Sequence, residues 1–495
     1  MHPLLLAFAA GLVSATGFAP LGLWPLLLVA MAALIRLVGE ATDLGQALAR
    51  GYAFGLGQFL LGLNWIATAF TYQAAMPAWL GWIGVFLLSL YLAVFPAAAA
   101  GLAWRYGRRG RPQLILFFAA AWIVTEWLRS VLLTGFPWNP LGVSLVSTPA
   151  AALSTLTGTY GLAAIVIILA GALLLLAERR WRQAAIFLLP VVVSAAIAAL
   201  VVRAPAPNAD APLVRIVQPD IGQHQKWEPA YRERNFARLA RLTGSPGDRP
   251  RLIFWPEAAV PEFLETDFLA RRRIASLIGP EDMIMLGGIA LVYDRGGRFT
   301  GGRNRLFAIT PEGRIVERYD KAHLVPFGEY LPMRPALSGI GLSRLVPGEV
   351  DFAPGSGPRT LTLPGFGRVG AQICYEIIFS GQVVESERRP DFIFNPSNDA
   401  WFGLWGPPQH LAQARMRAIE EGLPVLRATP TGISAIVAAD GRLVASIAWQ
   451  RAGAVEAPLP PPRPAPPFAR LGNILPWLFA LLLAAIAIAV RSKAR

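Results

Sequence analysis

Long apolar runs dominate the first 200 residues of this chain and return near its end. A helix needs about 20 apolar residues to cross a bilayer. On this pattern, spanning helices are predicted over eight segments: 3–19, 23–38, 51–70, 78–102, 114–133, 160–177, 183–202 and 472–490. The first two are short and share the turn at 18–22, so they are expected to form a hairpin that barely spans. The first run lacks a basic segment before it, so we expect it to be retained rather than cleaved as a signal peptide.

Between residues 203 and 470 the pattern changes to short apolar runs separated by charged and turn residues. Strands are predicted at 213–218, 252–255, 283–289, 305–309, 369–374, 391–395 and 433–438, and helices at 229–242 and 410–421. This alternation is typical of a mixed α/β layered domain. Proline-rich segments at 204–207 and 458–467 are predicted to be stiff spacers. The predicted organisation is a seven-span membrane domain over 1–202, an α/β domain over 203–470, and a last span with a basic tail over 471–495.

Composition supports a membrane protein and orients it. Hydrophobic residues make up 54% of the 495 residues and charged residues only 15%, which excludes a disordered chain and a wholly soluble enzyme. The net charge of +14 does not indicate a nucleic-acid partner, because the basic residues are scattered or lie beside apolar runs. Arginines occur in alternate loops: Arg36 and Arg50, then 105–111, then 179–182, then the C-terminal tail. By the positive-inside rule both termini are cytoplasmic, and the α/β domain lies outside, in the periplasm of a bacterial cell.

The single cysteine, Cys374, is a candidate nucleophile. One cysteine excludes an intramolecular disulfide and a cysteine-based zinc cluster. Cys374 ends a largely apolar predicted strand, where loops and ligands usually gather. The simpler interpretation is a buried small hydrophobic residue. A nucleophilic cysteine requires a base and a nearby cation to form the thiolate.

Two other residues could supply that base and cation. Glu257 follows a predicted strand and the rigid Pro256, which would hold its carboxylate at the strand end. Lys321 precedes a mostly apolar and aromatic run, which favours burial of its ammonium group. Taken alone, they could be a surface turn and a solvated charge. Together with Cys374 they could perform acyl transfer through a thioester, with the backbone N–H of Tyr375 helping to hold the oxyanion.

At these residues the sequence resembles the nitrilase (carbon-nitrogen hydrolase) superfamily, whose Glu-Lys-Cys triad lies on an α-β-β-α sandwich. With apolar spans on both sides, it is more specifically similar to the apolipoprotein N-acyltransferase family. Besides the three triad segments, the resemblance rests on Phe18–Pro25, Glu126–Arg129, Phe136–Gly142, Gln218–Ile221, Trp227, Asn398–Gly403, Gln409–Leu411 and Ala414–Ala418.

The resemblance implies a role for each matching residue. Glu257 would be the base, Lys321 the charge stabiliser and Cys374 the acyl carrier. Further matches are the supporting groups Glu329, Tyr375 and Glu376, and the entrance or lid aromatics Trp227 and Trp401. The donor would be a phospholipid, typically phosphatidylethanolamine, giving up its sn-1 acyl chain. The acceptor would be the α-amino group of the diacylglyceryl-modified N-terminal cysteine of an apolipoprotein, at the bacterial inner membrane.

Two alternatives remain open on the sequence. A membrane-anchored nitrilase or amidase would hydrolyse a small substrate with the same triad. A transporter or receptor would use the outer domain only to bind its ligand, so its activity would survive Cys374→Ala. The sequence contains neither a nucleotide-binding loop nor a metal-ligand cluster, so no cofactor or metal is expected.

Overall fold

The computed structural model describes residues 2–72, 77–208, 210–339 and 351–492. Of the predicted basic tail, Lys493 and Arg495 lie outside the described residues. The helices of the N-terminal part are Pro3–Ala15 (α1), Trp24–Gly39 (α2), Leu44–Gly62 (α3), Ile66–Ala69 (α4), Leu80–Leu92 (α5), Val94–Gly107 (α6), Arg111–Val131 (α7), Ser154–Ala177 (α8) and Trp181–Val201 (α9). The later helices are Gln223–Lys226 (α10), Arg232–Thr243 (α11), Phe268–Ala275 (α12), Arg334–Gly339 (α13), Gly406–Glu421 (α14), Pro467–Leu471 (α15) and Ile474–Ser492 (α16).

Helices occur at all eight segments predicted to span a membrane, but helix length does not confirm the count of eight. Among the described residues, four helical segments are long and apolar enough to cross: Leu80–Gly107, Arg111–Thr134, Pro149–Ala177 and Trp181–Val201. Helix α3 and the segment that begins with α4 make a fifth only if they form one span across a 48° bend. Helices α1, α2 and α16 are apolar but shorter.

The α/β domain contains two six-stranded sheets. Its strands are Leu213–Gln218 (β1), Arg251–Phe254 (β2), Met283–Tyr293 (β3), Phe299–Ile309 (β4), Ile315–Asp320 (β5), Arg359–Leu363 (β6), Gly367–Ala371 (β7), Phe392–Pro396 (β8), Val425–Ala428 (β9), Ser434–Val437 (β10), Leu443–Ile447 (β11) and Gly453–Pro458 (β12). The first sheet has the order β12-β1-β2-β3-β4-β5, and the second has the order β11-β10-β9-β8-β7-β6. Strands β1, β2 and β3 are mutually parallel, as are β7, β8 and β9. The C-terminal ends of parallel strands share one edge of a sheet.

The sheets pack face to face with helices outside each of them. Phe254 and Phe394 meet between the sheets with ring centroids 4.5 Å apart, and both are fully buried. On the outer face of the first sheet, Leu239 of α11 and Ile274 of α12 pack against Ile253. Helix α14 covers the second sheet. The predicted α-β-β-α sandwich is therefore confirmed.

Helix α14 also joins the second sheet to the membrane helices. Thr159 of α8 donates its hydroxyl hydrogen bond to Glu420, at 2.6 Å. Ser380 donates to the same carboxylate at 2.9 Å, and Arg417 donates to the carbonyl oxygen of Ile378 at 3.0 Å. Hydrogen bonds in which one partner is charged are stronger than those between two neutral groups. These bonds tie the loop that follows Cys374 to a helix long enough to cross a membrane.

Candidate active site

Glu257 lies just beyond the C-terminal end of β2. Its segment continues alongside β3, because the N–H of Ala259 donates to Gly287 and the N–H of Gly287 donates to Pro256. A Cβ on Gly287 would come within 2.7 Å of the Glu257 Cα, so this close approach requires glycine. The Glu257 side chain is buried, and its Oε2 is without a hydrogen-bond partner among the described residues. That oxygen is free to accept a proton.

Lys321 follows β5 and is held by two carboxylates. Its side chain is 1% exposed, and Nζ lies 2.9 Å from Oε2 of Glu329 and 3.7 Å from Oε1 of Glu257. Asn304 of β4 donates to both carboxylates, at 2.6 Å to Glu257 and 3.0 Å to Glu329. Burial alone would lower the pKa of Lys321, but the two carboxylates outweigh it and the pKa is raised. Lys321 is therefore a permanent cation in this site.

Cys374 opens a 3₁₀ turn, Cys374–Ile378, at the end of the second sheet. Its φ of +52° is a strained backbone conformation for a residue with a side chain. The carbonyl oxygen of Cys374 accepts hydrogen bonds from His410 Nε2 at 3.1 Å and from Asn395 Nδ2 at 3.3 Å. These bonds hold the strained turn, and the charges of Glu257 and Lys321 both act on its sulfur.

Cys374 rests as a thiol. Burial, and then the negative charge of Glu257, raise the pKa of Cys374 to about 12, although Lys321 and the Ser397 hydroxyl act in the opposite direction. The Ser397 Oγ lies 3.3 Å from the sulfur. A thiol with so high a pKa needs a base to remove its proton at the moment of attack. Glu257, with its unpaired carboxylate oxygen, can be that base.

Glu376 fastens the cysteine turn to the lysine loop. Its Oε1 accepts from the backbone N–H of Ala322 at 2.7 Å and of His323 at 3.1 Å, and from the Tyr319 hydroxyl at 2.8 Å. Its Oε2 accepts from the N–H of Ile373 at 2.6 Å. Burial raises the pKa of Glu376 to about 7 against these hydrogen bonds. One carboxylate thus fixes the distance between the two loops that carry the cation and the nucleophile.

A buried charged cluster behind Cys374 escaped the sequence analysis. Asp399 accepts from Arg427 at 2.6 Å and from Ser397 at 2.7 Å, and it lies 3.1 Å from His410 Nδ1. Burial, and then Arg427, lower the pKa of His410 to about 4. His410 is therefore neutral at pH 7, with its proton on Nε2, the nitrogen that faces the Cys374 carbonyl oxygen. Asp399 and His410 lie in segments that carry the family resemblance, but nothing in the sequence showed that they meet Arg427, because the members of the cluster lie on β9, on α14 and in the loop after β8.

The cysteine turn rests on a segment that belongs to the membrane helices. The Tyr375 hydroxyl donates to the carbonyl oxygen of Gly135 at 3.0 Å. Arg129, at the end of α7, donates to the carbonyl oxygens of Phe136 at 2.9 Å and Trp138 at 2.8 Å. Arg129 itself is 2% exposed and pairs with Glu126 at 3.8 Å. A buried ion pair thus shapes the loop on which the catalytic turn sits.

The aromatic residues assigned to the entrance lie at the rim of the site. Trp227 is 41% exposed, and its ring centroid is 5.7 Å from the ammonium of Lys226. Trp401 is half-buried and packs edge-on against Tyr72, with ring centroids 5.4 Å apart. Lys226, which the sequence analysis did not single out, donates from Nζ to the backbone carbonyl oxygen of Glu257 at 2.9 Å.

The structure brings the three predicted triad residues and their three predicted supporting residues into one site. The arrangement offers a base with a free oxygen, a fixed cation and a thiol, which together suffice for nucleophilic attack on an ester or amide. This arrangement is chemically able to support a cysteine that carries an acyl group.

Comparison with known proteins agrees with this geometry over both parts of the chain. Residues 10–172 match the family model of the apolipoprotein N-acyltransferase N-terminal domain, and residues 213–463 match that of carbon-nitrogen hydrolases. An apolipoprotein N-acyltransferase of Rhodopseudomonas palustris is 33% identical over 95% of this chain and 91% of its own length. An apolipoprotein N-acyltransferase of Bradyrhizobium diazoefficiens is 35% identical over 99% of this chain and 95% of its own length.

Among solved structures, an amidase from Nesterenkonia sp. AN1 is similar at 14% identity, over 52% of this chain and 93% of that chain, with a TM-score of 0.34. The two full-length relatives and the two domain matches establish the family. This chain belongs to the apolipoprotein N-acyltransferase family and is an acyltransferase whose α/β domain is nitrilase-like.

Proposed function

We propose that the protein moves the sn-1 acyl chain of a phospholipid, phosphatidylethanolamine in the first instance, to the α-amino group of the diacylglyceryl-cysteine of apolipoproteins. The observation that carries this proposal is the contact between the nucleophile turn and the helical part, where Tyr375 bonds to Gly135. Donor and acceptor are both held in a membrane. A nucleophile fastened to membrane helices meets them at a high effective concentration.

In the first half-reaction, Glu257 takes the proton of Cys374 and the sulfur attacks the carbonyl carbon of the ester. The carbonyl electron pair moves to the oxygen, and this oxyanion is stabilised by Lys321 and by the backbone N–H of Tyr375. The intermediate collapses by breaking the bond to the glycerol oxygen, which takes the proton from Glu257. The products are an acyl thioester on Cys374 and a lysophospholipid.

In the second half-reaction, the α-amine of the acceptor attacks the thioester carbon. Glu257 receives a proton from the attacking nitrogen and returns it to the sulfur as the carbon–sulfur bond breaks. The products are an amide and the free thiol. Glu329 holds the cation and Glu376 holds the two loops in place throughout, and neither takes part in a bond to substrate.

The thioester must outlive the exchange of one lipid for another, so water has to be kept away from it. Trp401 and Trp227 are our candidates for the lid and the entrance. Trp401 packs against Tyr72 of the helical part. A lipid that approaches along the helical part would therefore meet this contact and could displace the Trp401 ring.

We place the protein in the bacterial inner membrane, with the helical part over 1–202, the catalytic domain over 203–470 in the periplasm, and the last helix and tail over 471–495. The alternation of arginine-rich loops supports this orientation. The acceptor chemistry supports the membrane location, because a lipoprotein is lipid-anchored at its N-terminal cysteine.

The proposal is tested by reacting the detergent-purified protein with phosphatidylethanolamine and a synthetic diacylglyceryl-cysteine peptide. We expect one lysophospholipid and one N-acylated peptide per turnover, and neither product with Cys374→Ala. A matched control is Ser446→Ala, an exposed-edge substitution on β11. Free fatty acid in place of acylated peptide would refute acyl transfer and support the membrane amidase or hydrolase alternative.

A further inference from the structure

A second lysine lies beside Glu257. Lys226 is the last residue of α10, and its side chain is partly buried. Its Nζ donates to the carbonyl oxygen of Glu257 at 2.9 Å. The negative charge of Glu257, and that of Cys374 once it is a thiolate, both favour the charged form of this ammonium. Both groups that exchange a proton in the proposed reaction therefore lie within its field.

The two lysines of the site differ in how their charge is used. Lys321 is 1% exposed and sits between the carboxylates of Glu329 and Glu257, so carboxylates already balance its charge. Lys226 has no carboxylate within ion-pair distance among the described residues, and its one hydrogen bond goes to a neutral carbonyl oxygen. An ammonium group carries three donors. Lys226 therefore has a charge that no ion pair among the described residues balances and N–H donors that no described acceptor takes up.

The proposed reaction moves negative charge away from Glu257, and a cation such as Lys226 can stabilise it in its new position. At rest the negative charge is on Glu257, which Lys321 touches. When Glu257 takes the thiol proton, the charge passes to the sulfur and then to the ester oxygen, while Lys321 remains paired with Glu329. A cation that is not held in an ion pair with a carboxylate is available to stabilise this charge on the sulfur and then on the ester oxygen.

We propose that Lys226 is a second catalytic cation, whose ammonium stabilises the Cys374 thiolate and the oxyanion that forms on the donor ester. This inference rests on the proposed function for its second half, the oxyanion. Its first half, the thiolate, can be tested without any lipid. The rival explanation is that Lys226 only holds the backbone of Glu257 in place.

Three substitutions separate charge from anchoring. Lys226→Gln keeps an N–H donor for the Glu257 carbonyl oxygen but removes the charge. Lys226→Arg keeps the charge at every accessible pH. Lys226→Met removes both. Arg241→Gln, on the exposed face of the neighbouring helix α11, is the matched control for loss of a surface charge.

The measurement is the rate at which iodoacetamide alkylates Cys374, the single cysteine of the chain, in the full-length protein in detergent. At pH 6.5 we expect Lys226→Gln to react about tenfold more slowly than wild type, the effect of raising the pKa of the thiol by about one unit when a nearby positive charge is lost. Arg241→Gln should react at the wild-type rate.

The pH dependence identifies the group responsible. Burial lowers the pKa of Lys226 to about 8, although Glu257 and Cys374 oppose the shift. Wild type should therefore lose its advantage over Lys226→Gln as the pH rises from 7 to 9.5, while Lys226→Arg becomes faster than wild type above pH 8. The other charged groups that act on the sulfur are Glu257, Lys321 and Asp399, and they are the same in every variant.

A Lys226→Gln rate equal to wild type at all pH values, with Lys226→Met impaired, would overturn the proposal in favour of anchoring. If Lys226→Gln does not fold, Lys226→Arg against wild type decides, and equal rates above pH 8 overturn the proposal. The rates of thioester formation from phosphatidylethanolamine should rank the variants in the same order as their rates of alkylation. If no variant, wild type included, forms a thioester, the proposed donor is wrong, but the alkylation result still stands for Lys226.

Discussion

Replacing Glu329 with glutamine removes the negative charge nearest to Lys321. The Lys321 Nζ lies 2.9 Å from Glu329 and 3.7 Å from Glu257, in a side chain that is 1% exposed. Removing one partner of a buried ion pair costs about 3–5 kcal/mol. Glu257 remains as a second partner, so we expect the free energy of unfolding to fall by about 3 kcal/mol, at the low end of that range.

The same substitution should slow thioester formation on Cys374. With Glu329 neutral, the full charge of Lys321 acts on Glu257 and makes its carboxylate a weaker base. General-base catalysis is worth about 10²–10⁴ in rate, so we expect a loss of about a hundredfold. Thermal unfolding in detergent measures the stability, and single-turnover acylation by phosphatidylethanolamine measures the rate.

Two comparisons make this prediction specific. Glu281→Gln removes an exposed carboxylate of the same domain and should change neither quantity. The double variant Lys321→Met with Glu329→Gln removes both charges, so it should regain most of the lost stability and still form no thioester. A Glu329→Gln protein with wild-type stability and a wild-type acylation rate would refute the reasoning.

Four further outcomes follow from the site. Glu376→Gln should lower the free energy of unfolding by about 2 kcal/mol and slow acylation. The reason is that an amide nitrogen cannot accept hydrogen bonds from the backbone N–H groups that the carboxylate binds. Wild-type behaviour in both assays would contradict this. Since the pKa of His410 is lowered to about 4 and an unfolded histidine titrates near 6.5, the unfolded state takes up the extra proton as the pH falls through that window. Stability should then drop by about 3 kcal/mol between pH 6.5 and pH 4, and His410→Gln, followed by thermal unfolding, should lack this loss. Tyr375→Phe should cost about 1 kcal/mol through the bond to Gly135 but leave acylation within tenfold of wild type, because the backbone N–H is kept; a complete loss of acylation would assign the hydroxyl a chemical role. Trp401→Ala should speed hydrolysis of the acyl-enzyme, measured as thioester lifetime without acceptor, and an unchanged lifetime would remove Trp401 as the shield.

The apolar pattern predicted the positions of the helices well, because a membrane demands long unbroken runs. It was less informative on how many of them cross. Helix α3 ends at Gly62 and the chain resumes at a 48° bend, although the apolar run itself continues. Hydropathy records the composition of a segment and does not record a change in its direction.

Strands were predicted where apolar residues are contiguous and missed where they are not. Strand β9 is fully buried, but it contains Arg427, whose charge is balanced by Asp399 and interrupts the apolar pattern. Strands β11 and β12 lie at sheet edges and consist mostly of partly or fully exposed residues. Their pairing depends on neighbours that are distant in the sequence.

Glu257, Lys321 and Cys374 could be singled out as candidates because each follows a strand and the resemblance implies a role for each. Asn304, Lys226 and the His410 cluster could not, because their importance is visible only when segments far apart in the chain meet. Asn304, for example, is 47 residues from Glu257 and 25 from Glu329, and it touches both carboxylates. The residues next to such a bridging group in the sequence do not show which distant side chains it will contact.

The central claim is that Cys374 carries the acyl chain as a thioester, and intact-mass measurement tests it most directly. The purified protein is incubated with phosphatidylethanolamine of a single chain composition and no acceptor, beside Cys374→Ala. We predict a mass gain of one acyl group that maps to Cys374, is released by hydroxylamine and is absent from the variant. A folded wild-type protein that releases lysophospholipid without this adduct, or a Cys374→Ala protein that carries it, would contradict the account.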